Sequence, residues 1–105
     1  MMNTEKIVGL LGLANRAGQI SAGAMQTEKA IMTGKCKLLL IAEDVAPETL
    51  KRLTIMTEET GTPTIKMLTK VQLGTAVGKS PKAAIAINDN GFASSLRRMV
   101  SSDGV

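Results

Sequence analysis

Cys36-Lys37-Leu38-Leu39-Leu40-Ile41-Ala42 is a compact apolar stretch with turn signals on both sides, Gly34 before it and Glu43-Asp44 after it. So short a run, without polar alternation, suits a strand buried on both faces. The next segment reads as a helix. Pro47 stands where a helix can begin, because its missing N–H is not needed there. Leu50, Leu53 and Met56 then line one face, and Gly61 with Pro63 closes the segment.

Working upstream, residues 24–33 read as a helix with Ala30 and Ile31 on its apolar side and Gly34 as its stop. Residues 19–21 form a short extended piece before it. The first helix is expected to be capped by Asn3, with Glu5 in its first turn. Ile7, Leu10, Leu11 and Ala14 recur at helical spacing, and Gly18 ends it. Downstream, 64–68 is a short strand, and Thr69-x-x-Gln72 is a capping box opening a helix that Gly78 ends. Residues 83–87 form another apolar strand. Asp89 or Asn90 leads into a last helix carrying Leu96 and Met99, with 101–105 expected as a frayed tail. Helices and strands therefore alternate through one domain spanning residues 1–105. Such alternation implies an α/β fold, a three-layer α-β-α sandwich around a mixed central sheet of about four strands.

Composition narrows the function. Of 105 residues, 44% are hydrophobic and Phe92 is the only aromatic, so the core is aliphatic. A platform stacking splayed bases on aromatic rings is not available. Net charge is +4, and its distribution is uneven. Residues 38–62 hold five acidic and two basic side chains; residues 1–37 hold five basic and two acidic, and residues 63–105 hold six and two. The two ends are thus basic, which suits a polyanionic partner.

The chain has no histidine and one cysteine. Neither a Cys–His pair, a Ser–His–Asp triad nor a histidine-bearing zinc site can be built, and Cys36 reads as a buried, inert thiol. No dinucleotide-binding or phosphate-loop motif is present, and Gly78-Lys79-Ser80 ends a helix instead of opening one. Glu43 and Asp44 are adjacent carboxylates at a strand end, where capping of the Pro47 helix is the expected work of Asp44. No enzyme activity, cofactor or small-molecule substrate is expected. The amino-terminal residues show no signal-peptide progression, and the longest apolar run, 38–42, cannot span a bilayer. A cytoplasmic, monomeric protein is the expectation.

The opening of the second helix, Gly23-Ala24-Met25-Gln26-Thr27-Glu28-Lys29, carries the most functional information. A helix start offers unpaired backbone N–H groups and the positive end of the dipole, which suit a phosphate. Gln26 can both donate to and accept from a base edge, and Lys29 can neutralise a phosphate.

Several segments in order resemble one family: Leu11-Gly12-Leu13-Ala14-Asn15-Arg16-Ala17-Gly18, Gly23…Lys29-Ala30-Ile31, Lys37 through Pro47, and Leu73-Gly74-x-Ala76-x-Gly78. The sequence is similar to the kink-turn RNA-binding ribosomal protein family of the L7Ae/L30e type, and within it to the short bacterial YlxQ-like branch. The resemblance implies an α-β-α sandwich that binds sharply bent RNA with tandem sheared G·A pairs. It also implies a docking motif G-x-N-E-x-x-K, whose Asn and Glu read guanine edges while its Lys meets the backbone. Gly23 and Lys29 match that motif, but Met25 stands at the Asn position and Gln26 at the Glu position. Met25 has no useful donor, and Gln26 lacks the negative charge that suits guanine's donors, so discrimination should fall by on the order of 1–3 kcal/mol. Phosphate contacts, and hence docking, should persist.

The resemblance further implies two more walls for the site, at Glu43, Asp44 and Val45, and at Val77, Gly78, Lys79 and Ser80. Val45 and Val77 would pack on an extruded base, and Lys79 would add a phosphate contact; Arg16, close in sequence to the docking helix, is a candidate for a backbone contact. The resulting expectation is a non-catalytic, ribosome-associated RNA-binding protein. A second reading is a protein-interaction module of the same fold that has lost specific RNA recognition, with Met25 and Val45 as an apolar patch. A third, a small enzyme using Asp44 or Cys36, finds no supporting motif.

Overall fold

The computed structural model describes residues 4–103. Elements follow in the order α1 (Thr4–Arg16), β1 (Ile20–Ala22), α2 (Ala24–Met32), β2 (Leu38–Ile41), α3 (Pro47–Thr60), β3 (Thr64–Lys66), α4 (Lys70–Ala76), β4 (Ala84–Ile87) and α5 (Asn90–Asp103). The strands form one mixed sheet in the order β1-β4-β2-β3, with β2 and β3 parallel and β4 antiparallel to both β1 and β2.

The pleat divides the core in two. Leu38 and Leu40 of β2 and Ile85 and Ile87 of β4 join Ile7, Leu11, Leu73 and Leu96 on the face covered by α1, α4 and α5. Leu39 and Ile41, with Ala84 and Ala86, join Ala30, Ile31, Cys36 and Leu53 on the face covered by α2 and α3. Alternate residues of a strand point to opposite faces, so an unbroken apolar run is what a strand between two helical layers needs. β4 places its two alanines on the α2 side and its two isoleucines on the other. Fully burying one such isoleucine contributes roughly 1.5–3 kcal/mol. The three-layer α-β-α sandwich is therefore the observed fold.

Turn chemistry fixes the element ends. Thr69 Oγ1 accepts from Gln72 N, and Gln72 Oε1 accepts from Thr69 N, completing the capping box of α4. Gly61 closes α3 in the left-handed conformation at φ 71°. Asp89 Oδ2 accepts from Phe92 N at 2.9 Å at the start of α5. The strands are shorter than the apolar runs that announce them, because 36–37, 42, 67–68 and 83 are drawn into turns. Residues 101–103, expected to belong to the tail, lie in α5. Asn3, expected to cap α1, lies outside the described residues, as do residues 104 and 105. Cys36 is buried, and burial pushes its thiol up to about 11, so it stays protonated and unreactive near neutral pH.

Candidate nucleic-acid interface

Sheet register determines which turns meet. Ala22 pairs with Ile85, Ile41 with Ala84, and Ile41 with Lys66. The carboxyl ends of β1, β2 and β3 and the amino end of β4 therefore lie along one edge of the sheet. The turns leaving those ends open α2, α3 and α4, and the 77–83 loop arrives there. Hydrogen bonds join them. Gly23 N donates to Ala84 O (2.9 Å), Ala42 N to Ala83 O (2.9 Å), and Glu43 N to Leu68 O (2.7 Å). Lys70 N donates to Asp44 Oδ1 (2.8 Å), and Lys82 N to Lys70 O (3.0 Å). Leu68, buried yet at φ 62°, adopts the left-handed backbone that few non-glycine residues take, and its carbonyl receives the Glu43 N–H.

Gly23 is the N-cap of α2, at φ 96° and ψ 159°, a backbone conformation essentially reserved for glycine. Thr27 N makes the first helical bond, to Gly23 O at 2.9 Å. No side chain caps this end. The first-turn N–H groups of Ala24, Met25 and Gln26 therefore face outward with the positive end of the dipole. Met25 is 81% exposed, and Gln26 and Lys29 are also exposed. Glu28 turns away from them to pair with Arg52 of α3 at 3.3 Å, which leaves Lys29 without a neutralising neighbour on its own helix.

A residue not anticipated from sequence completes this corner. A Cβ built on Gly23 would stand 3.7 Å from Cδ of Lys82, so the Lys82 stem lies across the glycine at the mouth of α2. It brings a positive charge to the start of α2, while Lys29 stands on the last turn of the same helix. No local motif marks Lys82, because only the β1–β4 pairing brings it to Gly23.

The other expected site residues divide. Glu43 and Asp44 are exposed in the β2–α3 turn, and Val45 is half-buried against the α2/α3 core. Asp44 does not cap α3, whose N-cap is Ala46 without a side-chain bond. It caps α4 instead, because the Lys70 N–H is the orphan donor within reach. Asp44→Ala should therefore lower stability by about 1 kcal/mol, with Asp44→Asn retaining most of it. Urea titration would show this as a lower midpoint at unchanged slope. Val77 is only 3% exposed, packed in the core with its carbonyl held by Asn15 Nδ2 at 3.2 Å. Its side chain, expected from sequence to pack on an extruded base, here faces the core. Gly78 and Arg16 sit by the carboxyl end of α4, about 9 Å of helix from Lys70. The Arg16 guanidinium folds back along α1 beside Gly12 and the Ala76 carbonyl region. Lys79 and Ser80 are exposed on the strand of loop that returns along α4 towards Lys82.

Among the described residues no group of three or more acidic, cysteine or histidine side chains could hold a metal ion, and no helix is long and apolar enough to cross a membrane. Chemically, the corner offers backbone and ammonium donors, with the carboxylates of Glu43 and Asp44 at its rim.

An α-β-α sandwich whose turns gather at an uncapped helix start beside Lys82 defines a class of small binding modules. Residues 5–97 match the Ribosomal protein L7Ae/L30e/S12e/Gadd45 family, and the chain belongs to that family. It is 36% identical over 87 residues to the RNA-binding protein YlxQ of Bacillus subtilis (strain 168), covering 83% of this chain and 87% of that one. To the RNA-binding protein YlxQ of Enterococcus faecium it is 29% identical over 98 residues, 93% and 94% of the two chains. Among solved structures, a protein described as of unknown function from Bacillus halodurans C superposes with TM-score 0.86 at 31% identity, over 91% of this chain and 97% of that one. The Giardia lamblia 15.5kD RNA binding protein superposes with TM-score 0.78 at 25% identity, over 93% and 84%.

Proposed function

We propose that this protein is a non-catalytic RNA-binding module that docks on kink-turn-like RNA, in the cytoplasm and in association with the ribosome, and that it acts as a monomer. The observation that carries the reading is the α2 start, uncapped at Gly23 and crossed by the Lys82 stem, on a helix whose last turn exposes Lys29. The relatives named as RNA-binding proteins, and the structural neighbour so named, support RNA as the polyanion. A backbone phosphate sits over the open N–H groups of α2, where the dipole and the Lys82 ammonium favour it. The β2–α3 turn, with Val45, forms one wall for the bent strand, and Lys79 with Ser80 forms the other.

At about 0.15 M salt, each counterion released by a lysine–phosphate contact contributes about 1 kcal/mol. A Lys29→Glu, Lys82→Glu double variant should therefore bind kink-turn RNA at least roughly thirtyfold more weakly, with reduced salt dependence. Fluorescence anisotropy over a salt series reads both. Equal, salt-labile binding of the parent protein to kink-turn RNA and plain duplex would overturn the kink-turn reading.

One observation favours a second reading, a protein-interaction module. Met25 (81% exposed) and Met32 (75% exposed) are seven residues apart on α2 and so share one face. A protein partner held by that apolar face would tolerate the double lysine reversal with little loss.

A further inference from the structure

We infer that α2 carries a second phosphate pocket for the RNA backbone, on its flank beyond the opening turn, built from Ser21, Gln26, Lys29, Thr33 and Lys35. This rests on the RNA-binding function proposed for the α2 start and extends it by one specific contact.

The structure has a cleft of about 160 Å³ between α2 and the edge strand β1, lined by Ser21, Gln26, Lys29, Ala30, Thr33 and Lys35. Its α2 residues recur at i, i+3, i+4 and i+7, one stripe of the helix surface. Three features make the cleft selective for an anion. No carboxylate lines it, and the nearest acidic residue in sequence, Glu28, is engaged by Arg52 on the other side of the helix. The Ser21 hydroxyl accepts from Asn88 Nδ2 at 2.9 Å, which leaves its own proton to donate elsewhere. The Thr33 hydroxyl is spent on Lys29 O at 2.9 Å, so Thr33 closes one wall without competing for a ligand. The cleft therefore presents donors: a hydroxyl, the Gln26 amide and two ammonium groups. A phosphodiester, whose unesterified oxygens only accept, is the group that satisfies such a set.

The position of the cleft identifies the source of the phosphate. Gln26 borders it and also belongs to the opening turn of α2. A strand that places one phosphate over the N–H groups of Ala24 to Gln26 can continue along the flank and lay a following phosphate between Lys29 and Lys35. Lys35 lies just beyond Gly34, whose φ of 76° turns the chain at the end of α2.

Lys35→Gln tests this, with Arg97→Gln on α5, which covers the other face of the sheet from α2, as control. Both side chains are exposed, so both variants should fold. Anisotropy titrations of fluorescein-labelled kink-turn RNA would be run from about 50 to about 300 mM potassium chloride. Lys35→Gln should lower affinity about fivefold at about 0.15 M and reduce the slope of log K against log salt by about 0.7–0.9, while Arg97→Gln leaves both unchanged. Parent protein that binds, with an unaltered slope in Lys35→Gln, overturns the pocket and leaves the docking function standing. Parent protein that binds no kink-turn RNA overturns the docking function, and the pocket with it.

Discussion

A Met25→Asn, Gln26→Glu double variant is expected to prefer kink-turn RNA over a plain duplex of equal length by roughly tenfold to a hundredfold more than the parent protein does. That range follows from the roughly 1–3 kcal/mol that a well-made pairing to a base edge contributes to discrimination. In the parent, the second and third positions of α2 carry a thioether and a neutral amide. Asparagine would bring a donor and an acceptor on a short stem. Glutamate would bring two charged acceptor oxygens to the donors on guanine, and bonds of that charged kind are about twice as strong as neutral ones. Folding should change little. Met25 is 81% exposed, so no core contact is lost, and a carboxylate in the first turn complements the dipole. Nor can the new glutamate be diverted into a capping box, because Gly23 N already donates to Ala84 O. Competition anisotropy with both RNAs reads the preference directly. An unchanged preference, with folding intact, would mean that the α2 opening meets only phosphate.

How much of this corner was legible in the sequence depends on whether the cause is local. The strand at 38–41 and the capping box at Thr69 and Gln72 follow from residues near one another in the chain, and both are found where the residues place them. The division of β2 and β4 between two cores follows equally from strand geometry once the strands are given. Asp44 marks the limit of that reasoning. An acidic residue shortly before a proline-led helix resembles a cap for it, yet the turn carries its carboxylate to Lys70, twenty-six positions on. The burial of Val77 was equally out of reach of local reasoning. Its place in the α4–β4 segment suggested a wall of the site, while the packing of α4 against α1 turned it inwards. Lys82 and Lys35 had no local signal. Their significance comes from the antiparallel β1–β4 pair, which sets Lys82 across Gly23, and from the edge position of β1, which leaves a cleft open beside α2.

Gly74→Ala is the substitution expected to damage the protein most, although helix propensity alone argues the opposite. Gly74 lies inside α4, where alanine is favoured over glycine by about 1 kcal/mol. A Cβ there would overlap the Ser80 carbonyl oxygen and stand 2.6 Å from its carbon and 2.9 Å from Lys79 O. All three are backbone atoms, so no flexible side chain can move aside. The 78–82 segment is also held to α4 by Lys79 N donating to Gly74 O at 2.8 Å and Lys82 N to Lys70 O at 3.0 Å. The methyl group must push that segment off the helix and break these bonds, for which a net loss of about 2–3 kcal/mol is expected. In a chain of this size that lowers Tm by roughly 10–20 °C. RNA affinity should fall as well, since the same segment carries Lys82 to the mouth of α2. Gly9→Ala supplies the contrast. Gly9 is within α1 with nothing inside 4 Å of the added Cβ, so propensity acts alone and Tm should rise by a few degrees. Thermal melts in which the two variants shift in opposite directions would support close backbone packing as the reason for glycine at 74. A Gly74→Ala melt at or above the parent's would show that the loop does not rest on α4, and the placement of Lys82 beside Gly23 would fall with it.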